Sequence, residues 1–469
     1  MKIDMSFHKF FICSSLAFSL TSPVFAKIVP IPSKNFNGQE GRVFPYTTLS
    51  NPEGTTAIFS GDLIISNIDN AISETSSSCF SNKAGYFTIL GQGYTLSFNQ
   101  IRSASNGAAI SDSVTDLTLP LTLLNFKNIL FINSHTLTST EAGTGTGGTN
   151  NTVKANSAML YSTVPVIFKD NQTILFQQDR SAGPGAGINA ASLTITGTTT
   201  SCSFDSNASS SFGGALASVG PVKLVNNTAP QTFLSNGAAY YGGAIFLGTL
   251  SAPTTGTGTP SIGSLTASAN SGKITFQNNS ALTGGAIYSL GNLEFSNNNY
   301  VLFANNTASP ASTITLPSTT PNQTITGGLG GAIYCMAPQT GAGSGGSGTA
   351  PADPELKCTG QSALYFYGNY AATEGGAIYA KKIVLTDNGS TQFIGNVSAK
   401  GGAISVAASG TLELTANAGN IVFDHNLTVN TTTNTGTTTS STHNSIHFNE
   451  GATFSTLAAS AGNSIFFYD

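Results

Sequence analysis

Tryptophan is absent from the 469 residues, and charge is scarce: only 8% of the chain is Asp, Glu, Lys or Arg. Ordinary soluble domains carry about 25%, so the salt-bridged surface of a cytosolic enzyme is excluded, and Asn, Ser and Thr supply the polarity instead. The net charge is −4 and no basic run exceeds Lys381-Lys382. Nucleic acid therefore finds no electrostatic footprint and is excluded as a partner. Beyond the first residues no apolar run approaches the roughly 20 residues of a membrane-spanning helix. The Gly-rich stretches 141–150 and 341–348 lack the lysine of a phosphate cradle, and no Gly-x-Ser-x-Gly elbow supports a nucleophilic triad. No catalytic residue, cofactor or metal is expected.

Residues 1–26 read as a secretory signal. Lys2, His8 and Lys9 precede an apolar segment from Phe10 to Leu20, and Val24 and Ala26 suit cleavage before Lys27. Of five cysteines, Cys13 lies in that segment, which leaves Cys79, Cys202, Cys335 and Cys358. Four thiols in so long a chain are no disulfide framework. Cys335 and Cys358 flank the Gly/Ser-rich stretch 337–353 and invite a staple at its base; the other reading makes all four small buried hydrophobes.

What is present is a repeat. Its cleanest copy starts at Gly375-Gly376-Ala377-Ile378, passes through Ile383-Val384-Leu385 and Phe393-Ile394-Gly395-Asn396, and begins again at Gly401-Gly402-Ala403-Ile404, a period of 26 residues. Each apolar run is three to five residues long and bounded by turn formers, the appearance of short strands in a solenoid. The Gly-Gly-Ala tetrads start at Gly213-Gly214, Gly242-Gly243, Gly284-Gly285, Gly330-Gly331, Gly375-Gly376 and Gly401-Gly402. Phe-x-x-Asn recurs as Phe204/Asn207, Phe233/Asn236, Phe276/Asn279, Phe303/Asn306, Phe366/Asn369, Phe393/Asn396 and Phe423/Asn426. Further runs end at Phe98, Phe131 and Phe176. The pattern predicts about ten coils of three strands each, with equivalent side chains stacked at about 4.8 Å.

Residues 27–92 hold strand-like runs out of phase with the repeat and are expected to form a leader and cap; 93–469 are the solenoid. Insertions are expected on two edges: Ser134–Ala155, Thr307–Thr326 and Leu427–His443 after the third strand, Gly248–Gly263 and Ala337–Asp353 after the first. The chain stops at Asp469 with no charged cluster or helix over the last coil, an edge that invites self-association.

Alternating Gly-Gly-Ala-Ile/Leu and Phe-x-x-Asn motifs behind a signal resemble the polymorphic outer membrane proteins of chlamydiae, which are autotransporters. The resemblance spans about residues 80–469. It implies a right-handed parallel β-helix passenger on the bacterial surface, adhering to a host-cell receptor through its motifs, with other outer-membrane proteins as neighbours. The family's C-terminal barrel of alternating strands has no counterpart before Asp469, so the expectation is a truncated member or a separately encoded barrel. Location is then the outer membrane, the cell surface or the medium, and the periplasm if no barrel is supplied.

Two alternatives stand beside adhesion. A secreted carbohydrate-active β-helix enzyme would need paired acidic and basic groups, for which Asp170, Asp179, Arg180 and Asp205 are the candidates, although isolated turn aspartates explain them better. His443, His447 and Glu450 have a suggestive spacing, but on a strand the two histidines stand too far apart to share zinc. The other alternative is a non-functional remnant.

Overall fold

Short runs of β-branched and aromatic residues, cut every few positions by Gly, Asn or Ser, can only build a sheet by returning on themselves, and the chain does so rung after rung. The computed structural model describes residues 27–37, 54–68, 78–136 except 104–105 and 117, 158–249, 262–309, 327–337, 352–431 and 439–468, with strand fragments at 138–139, 154–155, 314–315 and 324–325. The predicted signal at 1–26 lies outside the described residues. Among those described there is no helix.

Three parallel sheets wrap one continuous core, which makes the chain a parallel β-helix. The first, the long sheet, holds the Ala-Ile runs in one register column: Ile188, Leu216, Ile245, Ile287, Ile333, Ile378, Ile404. It also holds the middle runs, Leu193, Val222, Leu265, Leu293, Leu356, Ile383 and Leu412. In some rungs without an insertion the two runs fuse into one strand, as in Ile378–Thr386 and Ile404–Ala416, with a register shift at the join of Ile378–Thr386, while in others, such as Leu216–Ser218 and Val222–Val225, they stay separate. The second, the Phe sheet, carries the runs that end on Phe and has thirteen strands among the described residues. The third, the narrow sheet, gives two residues per rung directly after each corner, for example Arg180–Ser181, Ala208–Ser209 and Val397–Ser398.

This corrects the expected coil in four respects. Two of the three predicted strands share a sheet, and the third face is a two-residue strand too short to leave a periodic signal. Among the described residues the rungs number thirteen rather than about ten, a rise of about 58 Å at 4.8 Å per rung. Thr55–Phe59 and Leu63–Ser66, expected out of phase, pair in parallel register with Phe87–Leu90 and Thr95–Asn99, so the sheets run through the segment assigned to a cap. Finally, Leu427–His443 is no plain loop: Leu427–Thr431 and Thr439–His443 form an antiparallel hairpin, to which its β-branched threonines are suited.

The column of phenylalanines is the spine. Phe98, Phe131, Phe176, Phe204, Phe233, Phe276, Phe303, Phe366, Phe393, Phe423 and Phe467 stand in successive register. From Phe131 onward their rings lie 4.4–5.0 Å apart and within 8° of parallel. Each stacked pair contributes about 0.5–1.5 kcal/mol beyond its buried area.

Candidate functional site

The residues that repeat are the residues that turn inward. Every Gly of the six tetrads and every Phe and Asn of the seven Phe-x-x-Asn copies is buried. Each has a local cause. At the tetrad corner Gly375 has φ +66°, a left-handed conformation that side chains resist, and a Cβ on Gly376 would lie 1.9 Å from the carbonyl oxygen of Gly402 one rung on. The tetrads thus bring backbone onto backbone.

At the Phe-x-x-Asn corner the asparagines form a ladder. The backbone N–H of each donates to Oδ1 of the next at 3.0–3.1 Å, from Asn207 through Asn236, Asn279, Asn306, Asn369 and Asn396 to Asn426. Each Nδ2 donates backward to the Phe carbonyl of the preceding rung at 2.9–3.0 Å, as Asn306 does to Phe276. Asn is the non-glycine residue best suited to a left-handed backbone, yet here the residue before it takes that conformation: Ser206, Ser235, Asn278, Asn305 and His425 with φ 52–57°. That exchange frees the Asn side chain to point inward.

Asp179 occupies the same ladder. Its Oδ1 accepts the N–H of Ser134 at 3.0 Å, and its own N–H donates to Asn207. Its Oδ2 is buried without a partner. In the asparagines that position is an N–H₂ facing a Phe carbonyl and the next Oδ1, so a carboxylate oxygen there meets acceptors. Burial accordingly pushes the Asp179 carboxyl well above its ordinary range.

A second ladder, which the sequence reading missed, lines the corner between the long sheet and the Phe sheet. Phe126 donates to Asn171, Thr198 to Asn227, Asn227 to Asn270, Asn270 to Asn298, Asn298 to Gln361 and Gln361 to Asn388, at 2.9–3.2 Å. Its signal is a polar residue one past a left-handed Asn, Asp, Gly or Ala, at Asn226, Ala269, Asn297 and Asp387. Residue type varies there, so no motif stands out.

The four described cysteines are free and buried. Of the two readings for Cys335 and Cys358, the staple is not made and the buried-hydrophobe reading describes them. Cys335 pairs in register with Ser289 and Ala380 in the Ala-Ile column, whereas Cys358 lies between Phe295 and Leu385 in the middle-run column. Burial raises every thiol, that of Cys202 to about 12, so none is a thiolate near neutrality.

The enzyme candidates do not converge. Asp170, exposed at one corner with Lys169 at 4.0 Å, and buried Asp179 sit beyond opposite ends of the strand Thr173–Gln177. Asp205 accepts from Gln177 at 3.1 Å and from Ser206 at 2.8 Å. His443 ends the hairpin and His447 belongs to the next long-sheet strand, so they share no strand face. Among the described residues no cluster of three His, Cys, Asp or Glu is placed to hold a metal ion.

Off the main core, an aromatic column of Phe246, Tyr288, Tyr334 and Tyr379 follows the Ala-Ile column with rings 4.6–5.6 Å apart; its first three members are buried in a small second cluster, whereas most other outward positions differ from rung to rung. Below it Glu374 takes Lys400 at 3.1 Å, Ser405 at 2.9 Å and Asn449 at 2.8 Å, a polar knot across three rungs. Elsewhere the exposed side chains include Val219, Tyr370, Leu457 and Tyr468. The insertions leave from the corner after the narrow sheet and from the long sheet. They begin later than expected, since Ser134 is in the ladder and Thr307–Ala308 is narrow-sheet strand.

Comparison with known proteins agrees with this architecture. The Chlamydia polymorphic membrane protein repeat matches residues 273–290, 300–336 and 363–381. The probable outer membrane protein pmp13 of Chlamydia pneumoniae is 45% identical over 99% of this chain and 45% of its own length. PmpG of Chlamydia muridarum is 34% identical over 99% of this chain and 45% of its own, and pmp8 of Chlamydia pneumoniae is 31% identical over 100% and 42%. The chain thus spans somewhat under half the length of these relatives. No solved structure matches it. With its central rungs matching the family's repeat and its whole length aligning to members, the chain belongs to the chlamydial polymorphic membrane protein family.

Proposed function

We propose that this chain is a display scaffold of the chlamydial outer membrane that adheres to a molecule on the host-cell surface. One observation carries the reading: the residues of the two repeated motifs are turned inward, while most outward positions and the corner insertions change from rung to rung. A rod built this way holds its shape with a fixed set of residues and leaves the rest free to fit a partner. The names of its relatives, probable outer membrane proteins, support the location. The repeated motifs then serve adhesion through the geometry they impose, because a buried Asn or Gly touches no partner. Scarce charge favours a contact surface over acid–base chemistry on polysaccharide.

The test is adhesion of beads coated with residues 27–469 to cultured host cells. A second preparation has the insertions 248–263, 310–326, 338–351 and 432–438 cut to short Gly-Ser links, with unchanged far-ultraviolet circular dichroism as proof of fold. Binding by the full chain and its loss in the shortened one is the expected pair. Failure of the full chain to adhere overturns the proposal, and equal adhesion by both moves the contact to the sheet faces.

A further inference from the structure

Where so little charge is present, the places where it gathers carry information. The chain has three arginines, Arg42, Arg102 and Arg180. Two of them stand in one register column of the narrow sheet with a histidine between: Arg102 pairs with His135, and His135 with Arg180. At about 4.8 Å per rung the two arginine backbones are about 10 Å apart with the imidazole midway. The column then continues with Ala208 and Gly237, so the cations belong to these rungs alone.

Beside this column runs the left-handed corner column Asn67, Gln100 and Asn133, with φ 54°, 55° and 49°. Between the two lies an open depression of about 290 Å³ lined by Asn67, Ile68, Gln100, Arg102, Asn133 and His135. The Nε2 atom of His135 is buried and has no hydrogen-bond partner. The wall thus holds three amides, one guanidinium group and an unsatisfied ring nitrogen, with a second guanidinium, that of Arg180, one rung beyond His135. The amides suit hydroxyl groups, which both donate and accept; the cations and the ring N–H suit an oxyanion. The volume is at the lower end of ligand pockets and accommodates about one sugar ring.

We propose that this depression binds a single acidic sugar residue, its carboxylate or sulfate held by Arg102, His135 and Arg180 and its hydroxyls by Asn67, Gln100 and Asn133. The assignment goes beyond adhesion as such, since it names a subsite on the first rungs that stands whether or not the insertions bind a cell. The charges flanking His135 are Arg180 and Arg102, while Asp179 beside them is turned into the ladder. Burial first, and then those two arginines, hold the imidazole below its ordinary range. An anion placed among them reverses the electrostatic part and makes the ring easier to protonate.

The experiment follows the ring resonances of His135 by NMR across a pH titration of residues 27–469, with glucuronate, inorganic sulfate or neutral glucose added. With glucuronate the His135 titration is expected to move up by about half a unit or more. Glucose alone is expected to leave it in place. Arg180→Gln, an exposed position whose change leaves the core intact, is expected to weaken glucuronate binding about tenfold, with Arg180→Lys retaining part of it. The affinity is expected to fall between low salt and 0.15 M, as for any partly exposed charge contact. No movement of His135 with glucuronate overturns the site, as does equal binding by Arg180→Gln with an unchanged unfolding midpoint. A shift with sulfate but none with glucuronate overturns the sugar assignment and leaves a bare anion contact.

Discussion

Two stretches of the rod differ. From Ser201 to Asp424 the rungs repeat almost without exception: Phe over Phe within 8°, Asn over Asn at every Phe-x-x-Asn corner. From Lys27 to Thr200 the same columns are broken. Ile65 takes the place of a phenylalanine, Phe98 and Phe131 tilt by 18°, and the corner ladder is filled by Ser134 and Asp179. Yet the register continues, since Ser134 Oγ still accepts the N–H of Ile101 at 3.1 Å. The backbone pairing therefore sets the register, and the stacked side chains set how much each rung contributes. The arginine pair and the candidate sugar site lie in the irregular stretch, where the column rule is relaxed.

The comparison is broken hardest at its most regular point. Phe303 lies between Phe276 at 4.9 Å and Phe366 at 5.0 Å and is wholly buried. Phe303→Ala is expected to cost about 3–5 kcal/mol in urea unfolding. Phe467→Ala, at a ring with 49% exposure stacked on one side only, is expected to cost less than half as much. Equal losses would mean that stacking position is irrelevant. Next in size is Asn306→Ala, which strands the N–H of Asn279 and the carbonyl of Phe276. About 2–4 kcal/mol is expected, against about 1 kcal/mol for Ser134→Ala, which strands one donor.

Asp179→Asn reverses the direction. It gives the irregular ladder the N–H₂ group of the regular one, and a gain of about 1–3 kcal/mol at pH 7 is expected. The pH dependence follows from the raised carboxyls. Burial lifts Asp112 to about 6, opposed in part by a hydrogen bond from Asn82, and lifts Asp179 well above its ordinary range as well. Groups with raised folded values stabilise fully below the ordinary carboxyl range and lose that contribution as pH rises through the folded value. Acidifying from pH 7 to 5 should therefore raise the unfolding midpoint, and less so in Asp179→Asn. A flat profile in the unsubstituted chain would sink this account.

The Phe column was legible in the sequence because identical residues at a constant spacing can stack only one way, and Phe276, Phe303 and Phe366 do stand in one line. The narrow sheet was not, because two residues show no alternation. Neither was the second ladder, where Asn227, Gln361 and Thr198 do the same work with different side chains. The candidate site was misread for a physical reason. Repetition marks the residues that meet copies of themselves, and in a solenoid those face inward, so the motifs Gly-Gly-Ala and Phe-x-x-Asn define the frame. Of the single cations that break the pattern, Arg180 entered the sequence reading only beside Asp170, Asp179 and Asp205, and Arg102 did not enter it; register brings the two together.

The smallest effect has the opposite pH sign and tests the comparison from the regular side. At Glu374 burial pushes the carboxyl up, but hydrogen bonds from Asn449, Lys400 and Ser405 together with the Lys400 charge outweigh it, and the group titrates below its ordinary range. Lys400 is half exposed, so solvent screens its share. Glu374→Gln is expected to cost about 1 kcal/mol at pH 7, since an amide oxygen still accepts from Ser405 or Asn449 while the ion pair is lost. A depressed folded value contributes stability above the ordinary carboxyl range and loses it as pH falls through the folded value, so the cost of Glu374→Gln should shrink once the pH falls below the ordinary carboxyl range. Asp179→Asn and Glu374→Gln thus bend the pH profile at opposite ends, the first above the ordinary carboxyl range and the second below it. Unfolding midpoints of the two variants and of the pair together separate the contributions, and because the sites are many rungs apart the two should add. If Glu374→Gln instead flattens the profile between pH 5 and 7, the carboxyl that titrates there belongs to the regular stretch, and the contrast between the two stretches fails on electrostatic grounds.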